Sequence, residues 1–178
     1  MEVKLQIAKA EVMKEVAVTT AYTGGKMADE DSKAPSRIST VDEDEKHLER
    51  FWEECRADLC QELMGLVTFE GIVADAGGRQ PGGGTIIVKP KAQIEVTVEP
   101  NDSYEVRLDV SNSFDKALLP SMKLNLFSYF VQGIAAKWYV YTNKKEAGEY
   151  ADKAATLLDD LHRKALFKKR PTRPTYKD

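Results

Sequence analysis

Two histidines, two cysteines, a run of four acids and a glycine-rich stretch are the residues of this chain whose chemistry could make a site. Their spacing argues against each in turn. Cys55 and Cys60 lie five apart on one predicted helix, so their side chains point to different faces and do not easily bond to one another. A tetrahedral zinc site needs four ligands, and no CxxC or HxxxH accompanies this pair. They read as free, partly buried thiols of a reducing compartment. His47 sits among acids at the start of a helix, and His162 sits beside Arg163 near a helix end, where a cation suits the dipole. Both read as surface residues. The stretch "GGRQPGGG" (77–84) lacks the lysine of a phosphate loop and leads into a strand, so it reads as a hairpin tip or linker. No carboxylates have the spacing of a known metal or glycosidase site. An enzyme is therefore not expected, and no cofactor or metal is implied.

What remains is charge. The net charge is −3, but it is unevenly spread. Residues 29–45, "DEDSKAPSRISTVDEDE", are acidic, and the chain ends "LFKKRPTRPTYKD". Such polarity points to a partner, either nucleic acid or an acidic surface on another copy. Pro171 and Pro174 fix φ and lower the entropy of an extended conformation. The tail reads either as a solvated, disordered end or as an extended segment that docks on a neighbour, and in the second case Lys168, Lys169, Arg170, Pro171, Arg173, Pro174 and Tyr176 are the candidate docking strap. Asp42, Glu43, Asp44 and Glu45 of another copy are its candidate acceptor. The same cations could meet DNA phosphates without sequence preference.

The elements that must position these residues are mostly helical. Residues 7–23 read as a short helix stopped by Gly24–Gly25, and 26–38 as a loop. Thr40 and Glu43 have capping-box spacing, and the acids 42–45 suit the positive end of the following helix, expected over about 42–65. Leu48, Phe51, Trp52, Cys55, Leu59, Leu63 and Met64 form its apolar stripe. The period then changes to two. Strands are expected at 85–89, 92–98 and 103–110, with a turn at 99–103, as a β insertion within about 68–112. Helical period returns near 114. Pro120 fits a first-turn position. Phe127, Tyr129, Phe130, Trp138, Tyr139 and Tyr141 crowd a helix that should be the most buried, and Gly133, Ala135 and Ala136 would admit a close neighbour. Asn143 then starts a last helix, antiparallel to the one before because their connection is so short. The expected fold is α+β. A single helical domain over 1–167, of about four helices with a small inserted antiparallel sheet, is followed by an extended basic tail at 168–178.

Apolar residues make up 42% and charged residues 31%, which places the chain with ordinary globular proteins rather than disordered ones. No apolar run is long enough to span a membrane, and "MEVKLQIAKAEV" is not a signal peptide. The product is expected to stay in the cytoplasm where it is made.

Three quoted stretches carry a family resemblance: the acidic start of "STVDEDEKHLERFWEECRADLCQEL", the "KWYVYTNKKEAGEY" junction and the "KKRPTRP" ending. Over about residues 39–66 and 115–174 the chain resembles head–tail connector (adaptor) proteins of tailed bacteriophages, of the kind found in phages and prophages of gut Bacteroidetes. The resemblance implies a virion neck protein without catalysis. Such adaptors form a ring, commonly twelvefold, beneath the portal, with their helical bundles side by side around the DNA channel. It also implies a C-terminal tail that inserts into the portal or an adjacent subunit, and other neck or tail proteins as partners. Two other readings remain open at this point. One is a cytoplasmic nucleic-acid-binding or regulatory protein using Lys168, Lys169 and Arg170. The other is an enzyme with a deep pocket holding His47, His162 or clustered carboxylates.

Overall fold

The structure, a computed structural model, describes residues 1–28, 32–73 and 103–169. It begins with a strand. In β1, Glu2–Ala8, the residues Val3, Leu5 and Ile7 are buried while Glu2 and Lys4 are exposed. This alternation is the mark of a half-buried strand. The expected helix at 7–23 therefore starts two residues later, as α1, Lys9–Lys26. Gly24 and Gly25 do not stop it. Gly24 lies inside α1 where a Cβ would stand 3.0 Å from the Cα of Pro35, so its role there is close approach. The expected loop contains a short helix, α2 (Ala34–Ile38), with Pro35 in its first turn.

The acidic run does open the next helix, but not through the Thr40–Glu43 capping box. Residues Asp42–Asp44 form a 3-10 turn and α3 runs Glu45–Glu62. The reciprocal pair is shifted by one. Asp44 Oδ2 accepts from the Val41 N–H at 3.0 Å, and the Asp44 N–H donates to the Val41 carbonyl at 2.9 Å. Thr40 instead turns its hydroxyl toward that of Thr20 on α1, 3.3 Å away. Phe51, Trp52, Cys55, Leu59 and Leu63 are buried as the stripe predicted. Met64 is not, because the helix has ended and Gly65, at φ +87°, turns the chain away. That left-handed conformation is one glycine adopts without penalty.

The turn delivers β2, Val67–Val73, which the sequence reading did not single out. β3, Ser103–Asp109, matches the expected last strand. The sheet order is β1–β3–β2, antiparallel throughout, with Leu5 opposite Val106 and Ile72 opposite Tyr104. The sheet is thus not only an insertion: the chain start supplies one edge and β3 is central. The expected strands at 85–89 and 92–98, the turn before Ser103 and the glycine-rich stretch fall outside the described residues.

After a 3-10 turn at Lys116–Leu118, α4 spans Leu119–Thr142 and α5 spans Lys144–Leu166. They are antiparallel. Tyr139 packs edge-on to Tyr150 at one end, and Lys164 Nζ donates to Ser121 Oγ at 2.8 Å at the other. Asn143 is the joint, but its side chain makes no cap; its amide reaches Met27 Sδ at 3.2 Å. Helix α4 is the buried centre. Phe130 stacks on Trp52 of α3 at 4.2 Å, and both pack edge-on to Tyr104 of β3. This trio joins α3, α4 and the sheet, and aromatic pairs of this kind contribute about 0.5–1.5 kcal/mol beyond their burial. A Cβ on Gly133 would stand 2.9 Å from Cys55 Sγ, so α3 and α4 touch where the small residues predicted a close neighbour.

Candidate docking surfaces

The tail begins at a fixed place. Helix α5 ends at Leu166, Lys168 forms a β-bridge with Phe114, and the Lys169 N–H donates to the Ser113 carbonyl at 2.8 Å. Lys168 and Lys169 are exposed. Phe114 beneath them is buried, while Leu166 and Phe167 are 55% and 51% exposed. The tail root is thus an extended segment laid against residues 113–114, with apolar residues in solvent beside it. Arg170, Pro171, Arg173, Pro174 and Tyr176 lie outside the described residues.

The candidate acceptor sits at the other end of the hairpin. The carbonyl of Ile38 accepts from Trp138 Nε1 at 2.6 Å, which anchors the chain leading into Asp42–Glu45 at the C-terminal part of α4. Glu43 and Glu45 are exposed, and Asp44 is spent on the Val41 N–H. The structure brings this run beside α1, not beside the tail root of the same copy. Next to it Lys9, almost fully buried, places Nζ 2.5 Å from Glu49 Oε2 and 5.5 Å from the Trp52 ring.

On the outer side of α3 and α4, Arg50 reaches the Tyr141 hydroxyl at 3.3 Å, and Tyr141 stacks on Phe51 with ring centres 6.0 Å apart. Tyr141 is 69% exposed, so of the crowded aromatics it is the one that reaches solvent most. Tyr129, Phe130, Trp138 and Tyr139 are core. A cavity of about 290 Å³ lies here, with His47 on its wall. His47 is exposed. His162 stands 3.5 Å from Glu62 and more than a helix length from His47 in sequence. The histidines do not meet.

The thiols are not poised for reaction. Cys55 is buried, and burial pushes its pKa up to about 12 despite the opposing field of Lys137. Cys60 is raised too, chiefly by desolvation. Among the described residues no three of His, Cys, Asp and Glu come together as a metal site would require. No helix among them is long and apolar enough to cross a membrane.

One ion-pair cluster was not foreseen. Arg56 of α3 is gripped by Glu70 of β2 through both guanidinium sides and by Glu53, whose oxygens stand at 2.7 and 2.8 Å. Burial raises the Glu70 carboxyl, but the Arg56 guanidinium more than offsets this and holds it below its ordinary range. Its chemistry is a clamp: it fixes β2 on α3. The period-2 signal of β2 was broken by Gly71, over which the Phe69 ring folds at 3.3 Å from a would-be Cβ, so neither the strand nor its glutamate stood out.

No family model matches the chain, and no curated protein or solved structure is significantly similar to it.

Proposed function

We propose that this chain is a virion structural protein without catalysis, a head–tail connector that forms a ring joining the portal to the tail around the DNA channel. It is made in the bacterial host cytoplasm and resides in the neck of the particle. The observation that carries the reading is the polarity of the α4–α5 hairpin. The basic tail is rooted at one end, against Ser113 and Phe114, and the acidic run is held at the other by Ile38 and Trp138. A subunit with different, oppositely charged ends suits head-to-tail contacts, which give a ring where the rotation between copies closes. The stretches that resemble connector proteins fall on α3, the α4–α5 hairpin and the tail root. Exposed Leu124, Val140 and Tyr141 on α4 supply apolar surface for neighbours.

The test is electron microscopy of the protein mixed with the portal protein of its own phage. A ring of this chain beneath the portal supports the reading. A free monomer that shifts DNA at low salt, and loses that shift when Lys168, Lys169 and Arg170 are neutralised, overturns it in favour of a nucleic-acid-binding role.

A further inference from the structure

Strand β1 is an edge. Among the described residues it pairs on one side only, with β3. The parity of that ladder fixes which residues face outward. The Met1 ammonium donates to the Val110 carbonyl at 2.7 Å, and the Val110 N–H donates to the Met1 carbonyl at 2.9 Å. Met1 and Val110 are thus a hydrogen-bonded pair, and antiparallel alternation gives Val3, Leu5 and Ile7 the further bonds to β3. Glu2, Lys4 and Gln6 turn their backbone N–H and C=O groups to the open side. A row of such groups is a template for another strand.

One half of this edge borders an open groove of about 760 Å³ between α1 and α4. Gln6, Ile7 and Ala8 line it, with exposed Leu124 and half-buried Phe127 as its apolar wall. Glu11 of α1 and Lys123 of α4 line it too, and neither makes an ion pair among the described residues.

We infer that β1 pairs with β1 of a second copy, antiparallel about a two-fold axis at Leu5. The first reason is register. This axis sets Lys4 opposite Gln6 of the second copy and Glu2 opposite Ala8, so the strands overlap over their full length and the outward residues meet as hydrogen-bonded pairs. An axis at Lys4 would set two lysines face to face, and one at Val3 would leave Gln6 and Ala8 unpaired. The second reason is the apolar face. The axis keeps Val3, Leu5 and Ile7 of both strands on the helix side, and Val3 of the second copy comes beside Ile7, against Leu124 and Phe127. The third is charge. Glu2 and Lys4 of the second copy arrive beside Ala8 and Gln6, at the groove that holds unpaired Glu11 and Lys123. The contact is isologous, so each pairing occurs twice. It uses the sheet edge and not the charged ends of the α4–α5 hairpin, and it does not rest on the connector reading.

The test is sedimentation equilibrium of the full chain, which should show a dimer. Leu124 is 64% exposed, so Leu124→Glu leaves the core untouched; it sets a carboxylate against Val3 of the second copy and should weaken the dimer about tenfold or more. Gln6→Pro deletes an outward N–H, a change that an edge strand tolerates, and should weaken it as well. Register is read with Glu2→Cys and Ala8→Cys, each made with Cys60→Ser, mixed and treated with a short bismaleimide. Across the pair their Cα atoms stand about 5.5 Å apart, whereas two copies of either cysteine stand about 20 Å apart. Crosslinked dimer is expected from the mixture and not from one variant alone. A chain that stays monomeric when concentrated overturns the inference, whatever closes its edge. So does a dimer that both substitutions leave unchanged, or one that crosslinks equally with a single variant. Rings on portals built from a chain that is monomeric in solution remove the edge pairing and leave the connector. An edge-paired dimer that forms no ring on portals does the reverse.

Discussion

Replacing Gly133 by alanine tests how tightly α3 and α4 are joined. The added Cβ would lie 2.9 Å from Cys55 Sγ, well inside ordinary contact, and Cys55 is 1% exposed. The sulfur has little room, because Tyr129 binds the Cys55 carbonyl at 2.9 Å and holds the same turn of α3. Overpacking of this kind costs about 1–3 kcal/mol. Against it, alanine gains about 1 kcal/mol over glycine inside a helix. Gly133→Ala should therefore destabilise by up to about 2 kcal/mol in the native background. Removing the sulfur should reverse the sign: in Cys55→Ala, the same change should stabilise by about 1 kcal/mol. Urea unfolding of the four proteins of this cycle reads the difference, with slopes of about 1–3 kcal/mol per M converting midpoints to energies. If Gly133→Ala shifted the midpoint equally in both backgrounds, the close contact would not be what keeps glycine there.

Four further outcomes are expected. Glu70→Gln should destabilise the protein at neutral pH by about 1–3 kcal/mol, since Arg56 loses a charged partner. Glu70 is held below its ordinary range, so its contribution is full above the unfolded-state value and is lost as pH falls through the folded-state value; the variant and native protein should converge in acid unfolding. Trp138→Phe removes the indole N–H from the Ile38 carbonyl and should cost about 1–3 kcal/mol by thermal unfolding, with faster amide exchange in residues 38–44. Lys169→Pro deletes the N–H that binds Ser113; chymotrypsin should then cut after exposed Phe167 faster, with global stability nearly unchanged, and an unchanged cutting rate would mean that the tail root is not tethered there. A thiol reagent at neutral pH should modify Cys60 well before Cys55, because Cys55 is buried and its pKa is raised to about 12.

Local periodicity made the helices readable. The three- and four-residue spacing of Phe51, Trp52, Cys55 and Leu59, and the near-continuous apolarity of α4, depend only on which faces a helix must bury. Pro120 at the start of α4, the one-residue joint at Asn143 and the alternation of Tyr104, Val106 and Leu108 belong to the same class. So did the uneven charge, since the tail's cations and the acids before α3 are visible in the sequence itself. The strand at the start of the chain was not read: Val3, Leu5 and Ile7 alternate, but seven residues with charges between them form a strand only because β3 accepts them.

Other features exist only once distant segments meet. The Arg56–Glu70 clamp joins residues of a helix and a strand separated by a turn at Gly65. Thr40 gave up its expected cap because the Thr20 hydroxyl of α1 stands across from it. Met13 of α1 and Leu48 of α3 line one groove only because the two helices pack side by side, which no local pattern announces. The sequence by itself determined the helical elements, the period-2 strand β3 and the opposite charges of its two segments, because these follow from local spacing and composition. Tertiary structure alone decided that those charges stand at opposite ends of one hairpin, because the antiparallel packing of α4 and α5 carries the tail root a helix length away from the acids.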